Sequence, residues 1–372
     1  RSVAYYLAEQ ALAPTGRVYP AVGSTHTVQY SVSRPRGVAA AITPWNFPLA
    51  IPLWKIGAAL AAGNSVVFKP APEAIATATA LIGLLERALP PDTVALVVGG
   101  VPEAQRVIEL VDVVSFTGSV RGGRAVAERC VSLNIPVQAE LGGHNASVIL
   151  ADADIETTAR SVAHAAFAYA GQKCTATRRV ITTLDLDHVA QHLLSAARTM
   201  AVGDPATAGT LVGPLISAGA RDSIHEVIER ARAAGATILC TDNSLPADGW
   251  YVNPTIVLDL PEESALHREE VFGPIVFLRR ADSERHAIEL VNETDFGLST
   301  AIYTKSSDSA LAMVAEIETG VIRVNAPSTG LDVHVPFGGL KDSAYGPPEL
   351  GPDAIPFFRQ PQTVTIQSSR DV

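Results

Sequence analysis

The feature that most constrains the fold is a regular alternation of short apolar runs with amphipathic stretches, beginning at residue 38. "VAAAIT" (38–43) reads as a buried strand, "LWKIGAALAAG" as a helix ending at Gly63, and "SVVFKP" as the next strand. The series continues through the helix "EAIATATALIGLLERAL", the strand "VALVVGG", the helix "AQRVIELV" and the strand "VVSFTGS". The helix "RGGRAVAERCV" and the strand "PVQAELGG" complete it. Parallel strands need a crossover between them, and a helical crossover buries both sheet faces, so this pattern predicts a parallel sheet covered on both sides. Ligands of such sheets sit beyond the carboxyl ends of the strands, and the layout is that of a nucleotide-binding α/β domain.

A second α/β unit follows residue 147, from "SVILADAD" and a helix over about 155–170 to "SALAMVAEIETGVIRVN". Outside both series, residues 17–36 have the β-branched and aromatic character of paired strands joined by a Gly-Ser turn. "FFRQPQTVTIQSS" reads as one exposed strand with Thr, Val and Ile alternating. The 372 residues exceed what one hydrophobic core usually serves, which agrees with two domains. A net charge of −10 and the lack of any basic run argue against a nucleic-acid surface. No apolar stretch is long enough to span a bilayer, and no signal peptide is recognisable. Cys130, Cys174 and Cys240 are odd in number and widely spaced, which predicts reduced thiols, a cytoplasmic location and no metal site. The chain opens on Arg1 rather than a methionine, and "RSVAYYLAEQALAP" reads as the tail of a helix closed by Pro14 and Gly16.

Cys174, in "GQKCTATRR", is either a small buried hydrophobe or a nucleophile. A thiol that attacks a carbonyl needs an oxyanion donor, a base and an acceptor for charge or hydride. Asn46, held between Pro44 and Pro48 in "TPWNFP", has an amide fixed by two stiff neighbours, or is a turn residue. Glu140 ends a strand before Gly142 and Gly143, which permit close approach of a substrate or another backbone segment. It is a base or an ordinary solvated carboxylate. Lys69 ends a strand of the first sheet, and Ser119 in "FTGSVRGGR" stands where a turn meets a helix start, suited to a phosphate. Glu270 and Phe272 lie on a loop before a strand in "HREEVFGP".

Taken together and in this order, "TPWNFP", "GNSVVFKP", "FTGS", "ELGG", "GQKC", "EEVFGP" and "PFGGLKDS" resemble the aldehyde dehydrogenase superfamily along the whole chain. The separation of Glu140 from Cys174 also matches the family. The resemblance implies a two-domain α/β fold, with a parallel-sheet cofactor domain, an α/β catalytic domain and a small β oligomerisation arm. Residues 1–15 and 37–142 are then the dinucleotide-binding domain and 143–343 the catalytic thiol domain. Residues 16–36 and 360–372 are the oligomerisation strands, and 344–359 a connecting segment. It further implies that Cys174 attacks an aldehyde, that Asn46 and the Cys174 backbone N–H hold the oxyanion, and that Glu140 activates the water that hydrolyses the thioester. Glu349 matches a carboxylate linked to proton relay. NAD or NADP would lie against Thr43, Trp45, Lys69 and Ser119, with Glu270 on the second ribose and Phe272 near the nicotinamide. A homodimer or homotetramer is the implied assembly.

The sequence departs from the family pattern at three places. Pro72 stands where NAD-preferring members often carry a ribose-binding Glu, and Glu73 comes one step later, which leaves NAD and NADP both open. His144 in "ELGGHN" replaces the usual Lys. Relatives also carry about a hundred further residues ahead of the point matching Arg1, within ordinary domain size. The chain looks most like the α-ketoglutaric semialdehyde dehydrogenase branch, whose substrate carboxylates call for a cation. Lys173, Arg178 and Arg179 neighbour Cys174; Arg178 is the candidate clamp or an ordinary solvated arginine, with His334 lining the pocket and Arg179 structural. Two other readings stay open: an inactive homologue serving as a structural or regulatory partner, and a CoA-acylating dehydrogenase.

Overall fold

The computed structural model describes residues 2–22 and 26–368. The expected Gly-Ser turn, Arg1 and the last four residues of the expected arm lie outside them. The chain divides into two units, one made of residues 1–140, 332–337 and 345–372, the other of 141–331 and 338–344. Segment 332–337, expected in the second domain, packs with the first unit, where Phe337 bridges Glu349. The whole of 345–359, expected as a connector, also belongs to that unit.

In the first unit, parallel strands run in the order Val137–Glu140, Val113–Thr117, Val38–Thr43, Ser65–Pro70, Val94–Leu96. The chain starts at the centre, winds outward twice, then crosses back to build the other side. That reversal places a topological switch point beside the carboxyl ends of Val38–Thr43 and Val113–Thr117. The alanine-rich strand Val38–Thr43 is buried from Ala39 onward, which lets the helix Ala50–Ala61 approach closely. Gly63 takes φ +95° just beyond that helix, a conformation only glycine adopts without cost. The core of this unit gathers Leu7, Ile56, Phe68 and Leu81 with Ile355 and Phe358 from the far end of the chain. A separate antiparallel sheet pairs Val18–Tyr19 with Thr27–Pro35, and Thr27–Pro35 with Arg359–Gln367 along their full lengths. Its outer residues Val28 and Ile366 are exposed.

The second unit is built on seven strands in the order Thr237–Cys240, Thr255–Leu258, Ile275–Arg280, Arg179–Thr182, Ala146–Ile149, Ser299–Tyr303, Val321–Val324. Only the first pairing is antiparallel. The inner strands read as continuous apolar runs because helices cover both faces. Phe167 and Phe277 are wholly buried there, each contributing about 2–3 kcal/mol through its loss of water contact. The helix Ile155–Phe167 is capped by Asp154, whose carboxylate accepts from the Thr157 N–H. It does not run on to 170. Tyr169, Ala170 and Gly171 instead take φ of 67°, 52° and 67°, three consecutive left-handed residues that turn the chain toward Cys174.

Candidate active site

The first unit holds a cleft of about 900 Å³ at its switch point. Thr43, Trp45, Lys69 and Ser119, all expected to face a cofactor, line it together. Lys69 is buried and forms no hydrogen bond or ion pair among the described residues, and burial holds its pKa below the usual lysine value. The hydroxyls of Thr43 and Thr117, also on the cleft, are buried without partners among the described residues. Such groups carry a desolvation cost unless a ligand satisfies them. Ser119 caps the helix Val120–Ser132, accepting from the Gly122 N–H at 3.2 Å, so the positive end of a thirteen-residue helix opens onto the same space. An ammonium, orphan hydroxyls and a helix N-terminus are donors suited to the ribose and phosphate oxygens of a dinucleotide. Pro72 lines the cleft too, while Glu73 is exposed beside it.

Glu140 ends its strand buried, its carbonyl accepting from the Gly118 N–H at 3.1 Å. Asn46 is buried in the same unit. Glu349 is buried in a polar cluster there: it accepts from Trp54 Nε1 at 2.6 Å and pairs with the Lys55 ammonium. Lys55 also donates to Ser115 Oγ at 2.8 Å, and Ser115 receives Gln138 Nε2 at 3.0 Å. Burial lowers the Lys55 pKa, while the charges of Glu349 and Glu140 act in the opposite sense. Lys55 and Trp54 were not foreseen as site residues. His334 is exposed on segment 332–337.

In the second unit, half-buried Cys174 sits in a loop whose carbonyls are held by buried side chains. Asn145 Nδ2 donates to Cys174 O at 2.6 Å and Ala176 O at 2.9 Å, and Ser328 Oγ donates to Thr175 O at 2.8 Å. Asn145 is itself fixed by the Ser299 N–H, which donates to its Oδ1 at 3.0 Å. The close approach allowed by the two glycines after Leu141 is visible here. A Cβ on Gly143 would stand 2.9 Å from Cys174 O, and one on Gly142 would stand 2.1 Å from the Glu270 carboxylate. Glu270 accepts from the Gly143 N–H at 2.9 Å, and burial pushes its pKa up.

Arg178, the candidate clamp, is fully buried, with its guanidinium set against backbone carbonyls. Its guanidinium donates to Gly273 O at 2.7 Å, to Lys173 O at 3.2 Å and to Gly171 O, and lies 5.5 Å from the Phe272 ring centre. It therefore fastens the thiol loop to the loop bearing Glu270 and Phe272. Arg179, buried likewise, donates to the carbonyls of His144, Leu290 and Val291. His144 is buried, with burial and the two arginines holding its pKa well down. Among the described residues no cluster of His, Cys, Asp or Glu fits a metal.

A family model described as the aldehyde dehydrogenase family matches residues 1–364. The chain belongs to that family. It is an enzyme of the family's reaction, NAD(P)-dependent oxidation of an aldehyde to an acid. It is 35% identical over 371 residues to an α-ketoglutaric semialdehyde dehydrogenase of Bacillus subtilis, covering 97% of this chain and 76% of that protein. It is 36% identical to a 2,5-dioxopentanoate dehydrogenase of Saccharolobus solfataricus, over 94% of this chain and 74% of that protein. A crystal structure of Staphylococcus aureus betaine aldehyde dehydrogenase with NAD+ superposes with a TM-score of 0.94 at 29% identity, covering 99% of this chain and 74% of that one. An NADP-dependent enzyme of E. coli does so at 0.93 and 31%, covering 99% and 77%. Relatives with these names favour neither the inactive-partner nor the CoA-acylating alternative.

Proposed function

We propose that Cys174 is the nucleophile and that the aldehyde it takes is a semialdehyde, the class for which two of the relatives above are named. The observation that carries the assignment is the immobilised thiol loop: Asn145, Ser328 and Arg178 occupy the carbonyls of residues 171 and 173–176, so the thiol is presented in a set geometry. The thiolate adds to the aldehyde carbon. The Asn46 amide and the Cys174 backbone N–H stabilise the oxyanion, where one lost donor costs about 3 kcal/mol of barrier. After hydride leaves, Glu140 takes a proton from the water that attacks the thioester, and the thiolate departs. Glu349, already bonded to Lys55 and sharing its cluster with Ser115, provides the onward route for that proton.

NAD or NADP, when bound, supplies the hydride acceptor. Lys69, Thr43 and Thr117 offer it donors, Ser119 and the following helix receive its phosphates, Trp45 packs against it, and Glu270 with Phe272 serves the nicotinamide half. With Pro72 rather than a carboxylate on the cleft, a 2′-phosphate meets no repulsion at that position, so both cofactors are accepted. The first unit is thus the dinucleotide-binding domain and the second the thiol domain. The exposed edge strand Arg359–Gln367, paired to Thr27–Pro35, joins copies into a homodimer or homotetramer, with the thiols kept reduced in a cytoplasm.

The test is the rise of reduced-cofactor absorbance with NAD and with NADP on a semialdehyde panel. Turnover that vanishes in Cys174→Ala is the expected result; turnover that survives it overturns the assignment.

A further inference from the structure

Three cations neighbour the thiol in sequence, and the fold treats them differently. The guanidinium groups of Arg178 and Arg179 are buried and occupied by backbone carbonyls. Lys173 is only half-buried, and its ammonium has no hydrogen bond or ion pair among the described residues. It belongs to the same pinned loop as Cys174, since its carbonyl is held by Arg178 and its N–H donates to Gly171 O at 2.9 Å. Its backbone is thus fixed beside the nucleophile while its charge is left uncompensated.

From this arrangement we infer that Lys173 is the specificity residue for the substrate, binding the carboxylate of an anionic aldehyde whose carbonyl lies at Cys174. The inference rests on the assignment of Cys174 as nucleophile. A half-buried ammonium without a counter-ion is unfavourable, because its desolvation is uncompensated. Burial and the nearby Arg178 charge pull its pKa down to about 8, and Lys173 in turn depresses the pKa of His164. The locality is short of one negative charge. A carboxylate supplies it with a charge-assisted hydrogen bond, which gains in strength out of water. A neutral aldehyde supplies nothing there, so the discrimination is between aldehydes with and without a terminal anion.

The experiment compares succinic semialdehyde with butanal, which share a four-carbon chain, in wild type, Lys173→Met and Lys173→Arg. The ratio of the two KM values should shift about tenfold against the anion in Lys173→Met and return most of the way in Lys173→Arg. An equal change for both aldehydes, or no change in the ratio, overturns the inference. A readout that needs no turnover is alkylation of Cys174 followed by mass spectrometry. 4-Hydroxybutyrate should protect wild type but not Lys173→Met, and 1-butanol should protect both alike. Protection by the carboxylate together with an absence of oxidation of either aldehyde would sink the dehydrogenase assignment and keep this one; equal protection of both variants by the carboxylate would sink this one.

Discussion

Replacing Arg178 with methionine tests whether that residue is a staple or a substrate clamp. The side chain is fully buried and donates to three carbonyls, those of Gly171, Lys173 and Gly273. A hydrogen bond from a charged donor contributes about 1.5–3 kcal/mol, and burying the guanidinium offsets part of the sum. The burial cost is visible in the Arg178 pKa, lowered to about 10. Methionine fills much of the volume but leaves all three carbonyls without that donor. Removing one side of a buried charged network costs about 3–5 kcal/mol. At roughly 2–4 °C per kcal/mol for a unit of this size, Tm of Arg178→Met should fall by about 10 °C. Because the thiol loop is then no longer fastened to the Glu270 loop, kcat should fall about a hundredfold on neutral and anionic aldehydes alike. Thermal denaturation followed by dye fluorescence, with kcat and KM on both aldehydes, reads out each effect. An unchanged Tm with a KM raised only for the anionic aldehyde would refute the staple and restore the clamp.

Two further outcomes follow from the same loop. Tyr169 holds φ 67° with its ring about half in solvent, so Tyr169→Asn exchanges a strained residue for one that tolerates the left-handed region. It should gain about 1 kcal/mol, raising Tm by roughly 2–4 °C, and a lower Tm in calorimetry would show that the turn is not strained. The second concerns pH. Lys173 is protonated below about 8 and neutral above it; around it stand Arg178, which keeps its charge until about 10, His164, whose lowered pKa leaves it neutral, and Cys174. The KM for succinic semialdehyde should therefore rise relative to that for butanal between pH 7 and 9, and a flat ratio would contradict it.

The order of strands and helices in both units was legible in the sequence, because hydrophobic runs, helical periodicity and glycine or proline punctuation are local signals. That Thr43, Trp45, Lys69 and Ser119 lie along one cleft was legible for a related reason: ligand-facing groups gather at strand ends, and strand ends can be counted. The surroundings of Arg178 were not legible, because nothing nearby in sequence reveals that Gly273, 95 positions away, supplies a carbonyl. Asn145 was overlooked inside a motif that was quoted for its neighbours, though a buried Asn after two glycines is a natural holder of backbone. Lys55 and Glu349 are 294 positions apart, and only the fold shows that they are one another's counter-ions. The helix expected to reach 170 stops at Phe167 because the turn before the thiol overrides local helical preference.

That Lys55–Glu349 pair also bears on how the chain is born. The unit containing both is interrupted by nearly all of the other one, whose main body is the unbroken stretch 141–331. During synthesis the interrupting unit has all its strands before the last segment leaves the ribosome. The sheet of the first unit emerges before the unit that interrupts it yet is completed after it, carrying meanwhile in its core a lysine with no counter-ion and an apolar face that Ile355 and Phe358 have still to cover. Of the two units, the one begun earlier is therefore completed later, and the interval between is when it most needs shielding from aggregation.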